Sequence, residues 1–254
     1  MAHYVLVLGG GIGSRTRLQT PKQFWDLGGL PIIMHSIKFF YDADPNCKIF
    51  VGISENMLDY WSSLKDKHSF DIPHLTFKGG RERFNTVLNG ILEIKNMFSI
   101  ENEDILSIHD GARPFINKNF ICKLLKHAKT YGSAVPYLSV KSTLINLKKS
   151  KSHANKTFNP VDRSDYILTQ TPQLFPFNKI STCYNKFSKN LTSKVNLKKN
   201  SHLTDDSSIY KTFKTPTDSD VSFIKGEEEN IKITTPFDVE NAKFIWNNTQ
   251  KNDE

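Results

Sequence analysis

Apolar and polar positions divide the first half of the chain into two kinds of segment. Segments with strand character occupy residues 4–8, 48–53, 74–77, 104–108 and 134–140, and the first of them is an unbroken apolar run, typical of a strand buried on both faces. Between them, apolar residues recur at helical spacing over residues 32–40, 84–92 and 120–128. This succession predicts βαβ units, and therefore an α/β fold: a Rossmann-like, open, mostly parallel twisted sheet with helices on both faces.

The pattern changes beyond residue 140. Residues 143–147 have strand propensity but 148–156 are polar and turn-like, so we predict that 141–160 form a β-hairpin arm projecting from the main sheet. Further predicted elements are a helix at 176–187, a mobile loop at 188–202, and short strands at 221–224 and 231–233. Two helix ends are also predicted: Gly132 as a C-terminal cap, and a last helix with Thr235 as N-cap and Pro236 at its first position.

Size and composition favour an ordinary globular protein. The 254 residues, 38% hydrophobic and 24% charged, suit one large α/β domain. No apolar run approaches the roughly 20 residues of a membrane span, and residues 4–8 are too short for a signal-peptide core. We therefore expect no membrane association and a cytoplasmic location. Cys47, Cys122 and Cys183 are far apart, which predicts reduced thiols rather than a zinc site or disulfides.

The net charge of +8 raises the question of nucleic-acid binding. No helix-turn-helix, zinc finger or RNP-like aromatic string is present, so charge alone would have to carry that interpretation. Two explanations of the positive charge remain, a solvated basic surface and the binding of small phosphate-bearing substrates. We expect no nucleic-acid partner.

Polar loops follow several predicted strands. In open α/β sheets, ligands bind beyond the carboxyl ends of strands. Residues 9–15, 79–83, 109–113 and the start of the arm all occupy such positions. Their convergence indicates a binding site more strongly than any one loop does.

The first of these loops is rich in glycine and flanked by cations. Glycines allow the backbone to approach a phosphate and point its N–H groups at the oxygens. The loop is not a P-loop, since no Gly-Lys-Ser/Thr follows, and it lacks the last glycine of GxGxxG. Arg15 and Lys22 suit a triphosphate, whereas a merely tight turn would leave them unexplained.

Asp110 is a candidate metal ligand. It follows a buried strand, and Mg²⁺ prefers few protein carboxylates together with waters and substrate phosphates. Alternatively it caps a helix or pairs with Arg113. The string Gly79-Gly80-Arg81-Glu82-Arg83, with Thr86 at the head of a helix, is a candidate second loop for an anion or a base.

Taken in order, these strings resemble the 2-C-methyl-D-erythritol 4-phosphate cytidylyltransferase family. The resemblance covers nearly the whole chain. Its strings are Gly10-Gly11-Ile12-Gly13-Ser14-Arg15, Pro21-Lys22-Gln23-Phe24, Gly79-Gly80-x-x-Arg83-x-x-Thr86, His109-Asp110-Gly111-Ala112-Arg113-Pro114, Val161-Asp162-Arg163-Ser164, Gln170-Thr171-Pro172-Gln173, Thr204-Asp205-Asp206 and Asn230-Ile231-Lys232-Ile233-Thr234-Thr235-Pro236.

The resemblance implies roles for particular residues. Catalytic cations at the α-phosphate correspond to Arg15, Lys22 and Lys232. Nucleotide-binding positions correspond to Gly9, Gly10, Gly11, Gly13, Gly80, Arg83, Thr86 and Gly111. Asp110 corresponds to the Mg²⁺ ligand. Positions that bind the sugar-alcohol phosphate correspond to Arg113, Thr143, Arg163 and Thr171.

The resemblance also implies the whole assembly and its reaction. It implies one nucleotidyltransferase domain over residues 1–254, of the nucleotide-diphospho-sugar transferase type, that dimerises through the arm at 141–160. Thr143 and Arg163 would then complete the partner's site. The implied reaction converts CTP and 2-C-methyl-D-erythritol 4-phosphate to 4-diphosphocytidyl-2-C-methyl-D-erythritol and pyrophosphate, in the non-mevalonate route to isoprenoid precursors.

Three alternatives stay open. A related cytidylyltransferase would use ribitol 5-phosphate to make CDP-ribitol for surface polymers, and Ser142, where an arm aspartate is common, bears on that choice. A nicotinamide dehydrogenase would lack its third glycine and its ribose-binding acid. A basic nucleic-acid-binding protein would bind unrelated DNA with a steep dependence on salt.

Overall fold

The computed structural model describes residues 1–10, 21–147, 158–191 and 203–252. Within these ranges the α-helices are α1 Ile32–Ala43, α2 Leu58–Lys67, α3 Arg83–Met97, α4 Lys118–Tyr131, α5 Phe177–Asn190, α6 Asp206–Phe213 and α7 Pro236–Asn252. The strands are β1 His3–Gly9, β2 Asp26–Leu27, β3 Leu30–Pro31, β4 Lys48–Ile53, β5 Leu75–Lys78, β6 Ile105–Asp110, β7 Val135–Ser139, β8 Ile145–Leu147, β9 Phe158–Pro160, β10 Ile167–Thr169, β11 Gln173–Pro176 and β12 Phe223–Lys225.

The main sheet has five strands in the order β11-β6-β1-β4-β5. The pairs β6-β1, β1-β4 and β4-β5 are parallel, and β11 joins the edge antiparallel to β6. The predicted α/β fold with an open, mostly parallel sheet is confirmed. The carboxyl ends of β1 and β6 lie side by side, since Leu8 is in register with Asp110.

Helices cover both faces of this sheet because side chains alternate along its strands. Val5 and Val7 of β1 pack with residues of α1, α2 and α4, among them Ile37, Trp61 and Leu124. Tyr4 and Leu6 point the other way, into a cluster formed with α3 and α5 that includes Val87, Ile91, Ile180 and Tyr184. The apolar character of β1, β4 and β6 thus reflects burial on both sides, whereas the edge strand β5 is mostly exposed.

A second sheet of three strands, in the order β10-β7-β12, stands apart from the first. The predicted strand at 134–140 is therefore present as β7, although it pairs with β10 and β12. An isolated bridge between Ala134 and Leu174 connects this region to the main sheet.

The predicted hairpin arm is confirmed in its described residues, where β8 and β9 pair antiparallel. The expectation that it projects from the main sheet was wrong. The chain enters the arm from β7 and returns towards β10, and both strands belong to the second sheet. The centre of the arm, residues 148–157, lies outside the described residues.

Other predicted elements agree in part. Gly132 caps α4 in the left-handed conformation, with φ of 82°. At the start of α7, Oγ1 of Thr235 accepts from the Asp238 N–H at 3.3 Å, as the predicted N-cap requires, and the Asp238 carboxylate accepts from the Thr235 N–H at 2.7 Å. The predicted strand at 231–233 was wrong, since that segment is irregular. Of the predicted loop 188–202, α5 covers the beginning, and residues 192–202 lie outside the described residues.

In the described part of the chain, no helix combines the length and apolarity that crossing a membrane requires.

Candidate active site

A cleft opens where β1 and β6 end and α3 begins. It collects predicted site residues from four distant parts of the chain. The lining residues are Leu8, Gly10, Lys22, Gln23, Gly80, Arg81, Glu82, Arg83, Thr86, Asp110, Ala112 and Lys232. Of the four loops predicted to converge, described residues of the loops at 9–15, 79–83 and 109–113 line this cleft, whereas the start of the arm does not.

Asp110 lies at the floor of the cleft, at the end of β6. Its Oδ1 accepts from Nε of Arg83 at 3.1 Å, and its Oδ2 accepts from Nζ of Lys232 at 2.7 Å. Nε of Arg113 stands 3.8 Å from Oδ2. Burial alone would raise the pKa of Asp110, but the three cations together hold that pKa well below its usual range. The carboxylate is therefore ionised at neutral pH.

Arg83, the first residue of α3, is held by two carboxylates. Its Nη1 and Nη2 donate to Asp206 at 2.8 and 2.7 Å, in bidentate geometry. Asp206 is completely buried and also accepts from the Tyr184 hydroxyl. Burial would lower the pKa of Arg83, but Asp206 and Asp110 raise it well above its usual value. Arg83 therefore presents a fixed positive charge at the cleft.

Beneath Asp110, a chain of hydrogen bonds fixes the loop. The backbone N–H of Asp110 donates to Oγ1 of Thr171 at 3.0 Å. His109 is fully buried, and burial lowers its pKa to about 4. Because Nε2 of the neutral ring faces the carbonyl of Arg113 at 3.1 Å, it carries the proton. The Thr171 hydroxyl then donates to Nδ1 of His109 at 3.2 Å.

Lys232 is positioned by the backbone on either side of it. Nη1 of Arg113 donates to the carbonyl of Asn230 at 2.7 Å, and Nδ2 of Asn230 donates to the carbonyl of Thr171 at 2.9 Å. The N–H of Ile233 donates to the carbonyl of Ala112 at 2.9 Å. The irregular segment that carries Lys232 is thereby tied to the Asp110 loop.

Two glycines of the site are required by packing. Gly80 donates its N–H to Oγ1 of Thr86 at 3.0 Å, and a Cβ on Gly80 would lie 2.2 Å from Cβ of Asn85. A Cβ on Gly9 would lie 2.6 Å from a methyl group of Ile33. Any side chain would thus displace the loops from the start of α3 and from α1.

The remaining predicted residues are placed differently. Gly111 lies behind the cleft, where its N–H donates to the carbonyl of Leu8 at 3.0 Å. Thr143 and Arg163 do not line the cleft, and Nη1 of Arg163 donates to the carbonyl of Lys141 at 2.7 Å, at the base of the arm. Gly11, Gly13 and Arg15 lie outside the described residues.

Several residues of the site had no role in the sequence analysis. The buried Gln23 donates its amide to the carbonyl of Gly9. Asp206 binds Arg83, and His109 accepts from the Thr171 hydroxyl. Asn230 anchors the segment that carries Lys232. Each lies within one of the strings that carry the family resemblance, and that membership was the available signal; their partners, such as Arg83 for Asp206, are too far along the chain to be inferred from a local pattern.

Comparisons with known proteins identify the family of the chain. The family described as IspD, 2-C-methyl-D-erythritol 4-phosphate cytidylyltransferase, matches residues 3–248. A relative of that name from Azobacteroides pseudotrichonymphae is 34% identical over 95% of this chain and 97% of its own length. Another, from Bacteroides fragilis, is 32% identical over 96% of this chain and 100% of its own. The chain belongs to this family.

A solved structure shares the fold. It is 4-diphosphocytidyl-2C-methyl-D-erythritol synthase from Anaerococcus prevotii, with a TM-score of 0.73 and 20% identity, covering 96% of this chain and 95% of that one. The predicted family, its fold and the prediction of a nucleotidyltransferase enzyme are therefore confirmed. The roles of individual residues stay predictions, to be judged on the contacts of the cleft.

The donor set of the cleft bears on the predicted Mg²⁺. Among the described residues, no group of three or more His, Cys, Asp or Glu side chains could hold a metal ion. Asp110 offers one ionised carboxylate, and a Mg²⁺ ion prefers few carboxylates when phosphates and waters supply its other oxygens. The site therefore fits a Mg²⁺ ion that arrives with a nucleotide.

Proposed function

We propose that this protein transfers the cytidylyl group of CTP to 2-C-methyl-D-erythritol 4-phosphate, releasing pyrophosphate, in the non-mevalonate route to isoprenoid precursors. Membership of the family supports the reaction, and one observation in the cleft carries it. Asp110 lines a single space together with three cations, Lys22, Arg83 and Lys232. Gly10 and Gly80 line the same space. That arrangement suits a metal-bound triphosphate.

The reaction needs charge and alignment more than proton transfer. An oxygen of the sugar-alcohol phosphate attacks the α-phosphorus of CTP, the bond from that phosphorus to the bridging oxygen breaks, and pyrophosphate leaves with the electron pair. The attacking phosphate is already ionised near neutral pH. Lys22 and Lys232, together with Arg15, neutralise the charge that develops on the α-phosphate.

Asp110 would hold Mg²⁺ in this scheme. The bound ion would neutralise part of the charge on the triphosphate and make pyrophosphate a better leaving group. Lys232, which pairs with the same carboxylate in the nucleotide-free protein, would then be released towards the phosphates. The loop at 80–86 would contact the base through Gly80, Arg83 and Thr86.

A homodimer formed through the arm is part of the proposal, with residues 1–254 as one nucleotidyltransferase domain. Large apolar side chains are exposed on the arm and the second sheet: Leu147 at 57%, Phe158 at 57% and Leu168 at 56%. Clustered exposed apolar groups are typical of interaction surfaces. In such a dimer, Thr143 and Arg163 would reach the partner's cleft and bind the sugar-alcohol phosphate. Arg113 and Thr171 would support that end from within the subunit.

A cytoplasmic location and the absence of nucleic-acid and membrane partners stay predictions. They are compatible with a chain whose substrates are CTP and a small polyol phosphate.

The substrate is tested by offering the purified protein Mg²⁺ and CTP with either 2-C-methyl-D-erythritol 4-phosphate or ribitol 5-phosphate, and following pyrophosphate release. We expect release with the first substrate and little with the second. Release only with ribitol 5-phosphate would favour the alternative substrate. No release with either would contradict the cytidylyltransferase assignment. Omitting CTP, and separately Mg²⁺, supplies the blanks.

A further inference from the structure

A second cavity lies behind the catalytic cleft, between α1, α7 and the β2-β3 hairpin. Its volume of about 660 Å³ is within the range of small-molecule sites. The apolar side chains around it are Leu30, Phe39, Phe115, Ile116, Ile245 and Trp246. Within the described residues, the linings of this cavity and of the catalytic cleft have no residue in common.

Residues that line this rear cavity lie on the same three segments of the chain as Lys22, Asp110 and Lys232. Gly28 and Leu30 follow Lys22, Phe115 follows Asp110, and Glu229 precedes Lys232. A hydrogen bond from the Ile233 N–H to the carbonyl of Ala112 at 2.9 Å ties the second and third segments together. The first segment is closed on itself by a hydrogen bond from the Ile32 N–H to the carbonyl of Trp25 at 2.9 Å. A molecule bound behind the cleft would therefore touch the other ends of the segments that carry the chemistry.

The rear cavity carries two carboxylates, Glu227 and Glu229, that form no ion pair among the described residues. Glu227 accepts from Nδ2 of the neutral Asn117 at 2.9 Å, and neither Glu227 nor Glu229 makes an ion pair with any residue that the structure describes. Lys38 lines the cavity too, but its Nζ pairs with Asp42 at 2.9 Å. Burial, with a smaller contribution from Glu229, raises the pKa of Glu227, although the hydrogen bond from Asn117 and the charge of Lys123 oppose this shift. The lack of ion pairs and the raised pKa of Glu227 both indicate that a cation would be stabilised beside these carboxylates.

The back of the cavity is aromatic. The Trp246 indole packs against Gly28, where a Cβ would lie 2.2 Å from the ring, and its centroid is 4.7 Å from that of His35. Burial lowers the pKa of His35, so this ring adds no charge near neutral pH. An aromatic wall next to carboxylates is the combination that recognises organic cations, through ring contacts and charge together.

We propose that the rear cavity binds a small amphiphilic cation, an ammonium group on an aromatic or branched apolar body, and that its binding changes the turnover of the enzyme. The ammonium group lies against Glu227 and Glu229, and the apolar body against Phe115 and Trp246. The effect on turnover follows from contact with the segments of Lys22, Asp110 and Lys232. That part rests on the proposed function, whereas binding itself does not.

The probe is 2-phenylethylamine, compared with the neutral 2-phenylethanol and the anionic 3-phenylpropionate. Binding is followed by tryptophan fluorescence without substrates, and Trp246→Phe assigns the signal among the protein's three tryptophans. We expect the amine to bind at least about fivefold more tightly than the alcohol. The preference should disappear in a Glu227→Gln/Glu229→Gln variant.

Glu228→Gln is the matched control, because Glu228 stands between the two carboxylates but pairs with Lys141 at 2.5 Å. It should keep the preference for the amine. At saturating amine, we also expect kcat/KM for CTP to change at least about twofold in the unmodified enzyme and in the control, but not in the double variant.

Equal affinity for the amine and the alcohol, a preference that survives the double variant, or binding with no effect on kcat/KM would each overturn the proposal. Failure of the proposed reaction would be distinguishable, since pyrophosphate would then not be released even without the amine.

Discussion

Nζ of Lys232 lies 2.7 Å from Oδ2 of Asp110, although 122 positions separate the two residues in the chain. The contact joins the end of a central strand to an irregular segment from the far end of the sequence. It places the predicted catalytic cation and the proposed metal ligand face to face. Both the chemistry and the assembly of the cleft can be tested through it.

Replacing Lys232 with Met should remove most turnover. The side chain is 38% exposed at the cleft, where its charge faces the site proposed for the phosphates. Loss of one such cation typically costs about 10²- to 10³-fold in kcat. Pyrophosphate release gives the rate, and circular dichroism checks the fold. Lys225→Met, the same change on the exposed strand β12, should keep nearly normal turnover. A Lys232→Met enzyme within tenfold of normal would refute the assignment.

Thr171→Val should lower kcat about tenfold or more, and Thr171→Ser should restore it. The hydroxyl accepts from the N–H of Asp110 and donates to His109, so its loss frees the loop that holds the proposed metal ligand. The Michaelis constant for the sugar-alcohol phosphate distinguishes this role from the predicted substrate contact. If Thr171 binds that phosphate directly, its KM will rise steeply in Thr171→Val with kcat little changed.

His109 should make the folded protein less stable as the pH falls from about 6.5 to 4. The pKa of His109 is lowered to about 4 in the fold, so over that range only the unfolded chain takes up the proton. The stabilisation is complete above the unfolded pKa and is lost on acidification, at up to roughly 1.4 kcal/mol per pH unit. Denaturant unfolding across this range measures it.

The comparison for this pH effect is His109→Asn, whose amide oxygen can still accept from Thr171. Its unfolding free energy should fall less than that of the unmodified protein between pH 6.5 and 4. His35 and His74, whose pKa values are also lowered by burial, are present in both proteins and cancel in the difference. Parallel curves would mean that His109 is not the residue responsible.

Asp206→Asn should destabilise the fold by about 3–5 kcal/mol, the usual cost of removing one partner of a buried ion pair. The carboxylate is completely buried, binds Arg83 in bidentate geometry and accepts from Tyr184. Asp220→Asn is the control, since its pair with Lys211 is 62% and 61% exposed and should matter little. Similar unfolding midpoints for the two variants would contradict the structural role given to Asp206.

Mixed dimers should report whether the cleft is shared. Subunits with Arg163→Ala and subunits with Lys232→Met should each be inactive. If Arg163 serves the partner's cleft, mixing them in equal amounts and allowing exchange should restore about a quarter of normal turnover, since half of the dimers then contain one intact site. Co-expression of two differently tagged chains provides an exchange-independent version. No recovery in pure mixed dimers would place Arg163 outside the partner's site.

The sequence predicts those parts of the structure that depend on local patterns. Buried parallel strands such as β4 appear as apolar runs, and the end of α4 is set by the left-handed conformation that Gly132 adopts. The convergence of Lys22, Arg83 and Asp110 follows from the rule that strand ends meet at one edge of a sheet. These features need no knowledge of distant partners.

The parts that were missed depend on distant partners. Gln173–Pro176 is a strand only because β6 offers an open edge, and residues 231–233 are irregular because Ile233 bonds to the Ala112 carbonyl rather than to a strand. Helix α2 buries little besides Trp61 and Leu64, so its apolar pattern is weak. Asp206 looks like a helix-start residue until Arg83 is brought to it from 123 positions away.

Under the proposed function, the internal pairing of the cleft would also select among the anions of a cell. Arg83, Arg113 and Lys232 already pair with the Asp110 carboxylate. An incoming anion must therefore interact with these cations more strongly than that carboxylate does. A single orthophosphate would bring too little charge to compete, whereas a metal-bound triphosphate would both supply the charge and engage Asp110. The pairing would thereby keep abundant small phosphates from occupying the cleft.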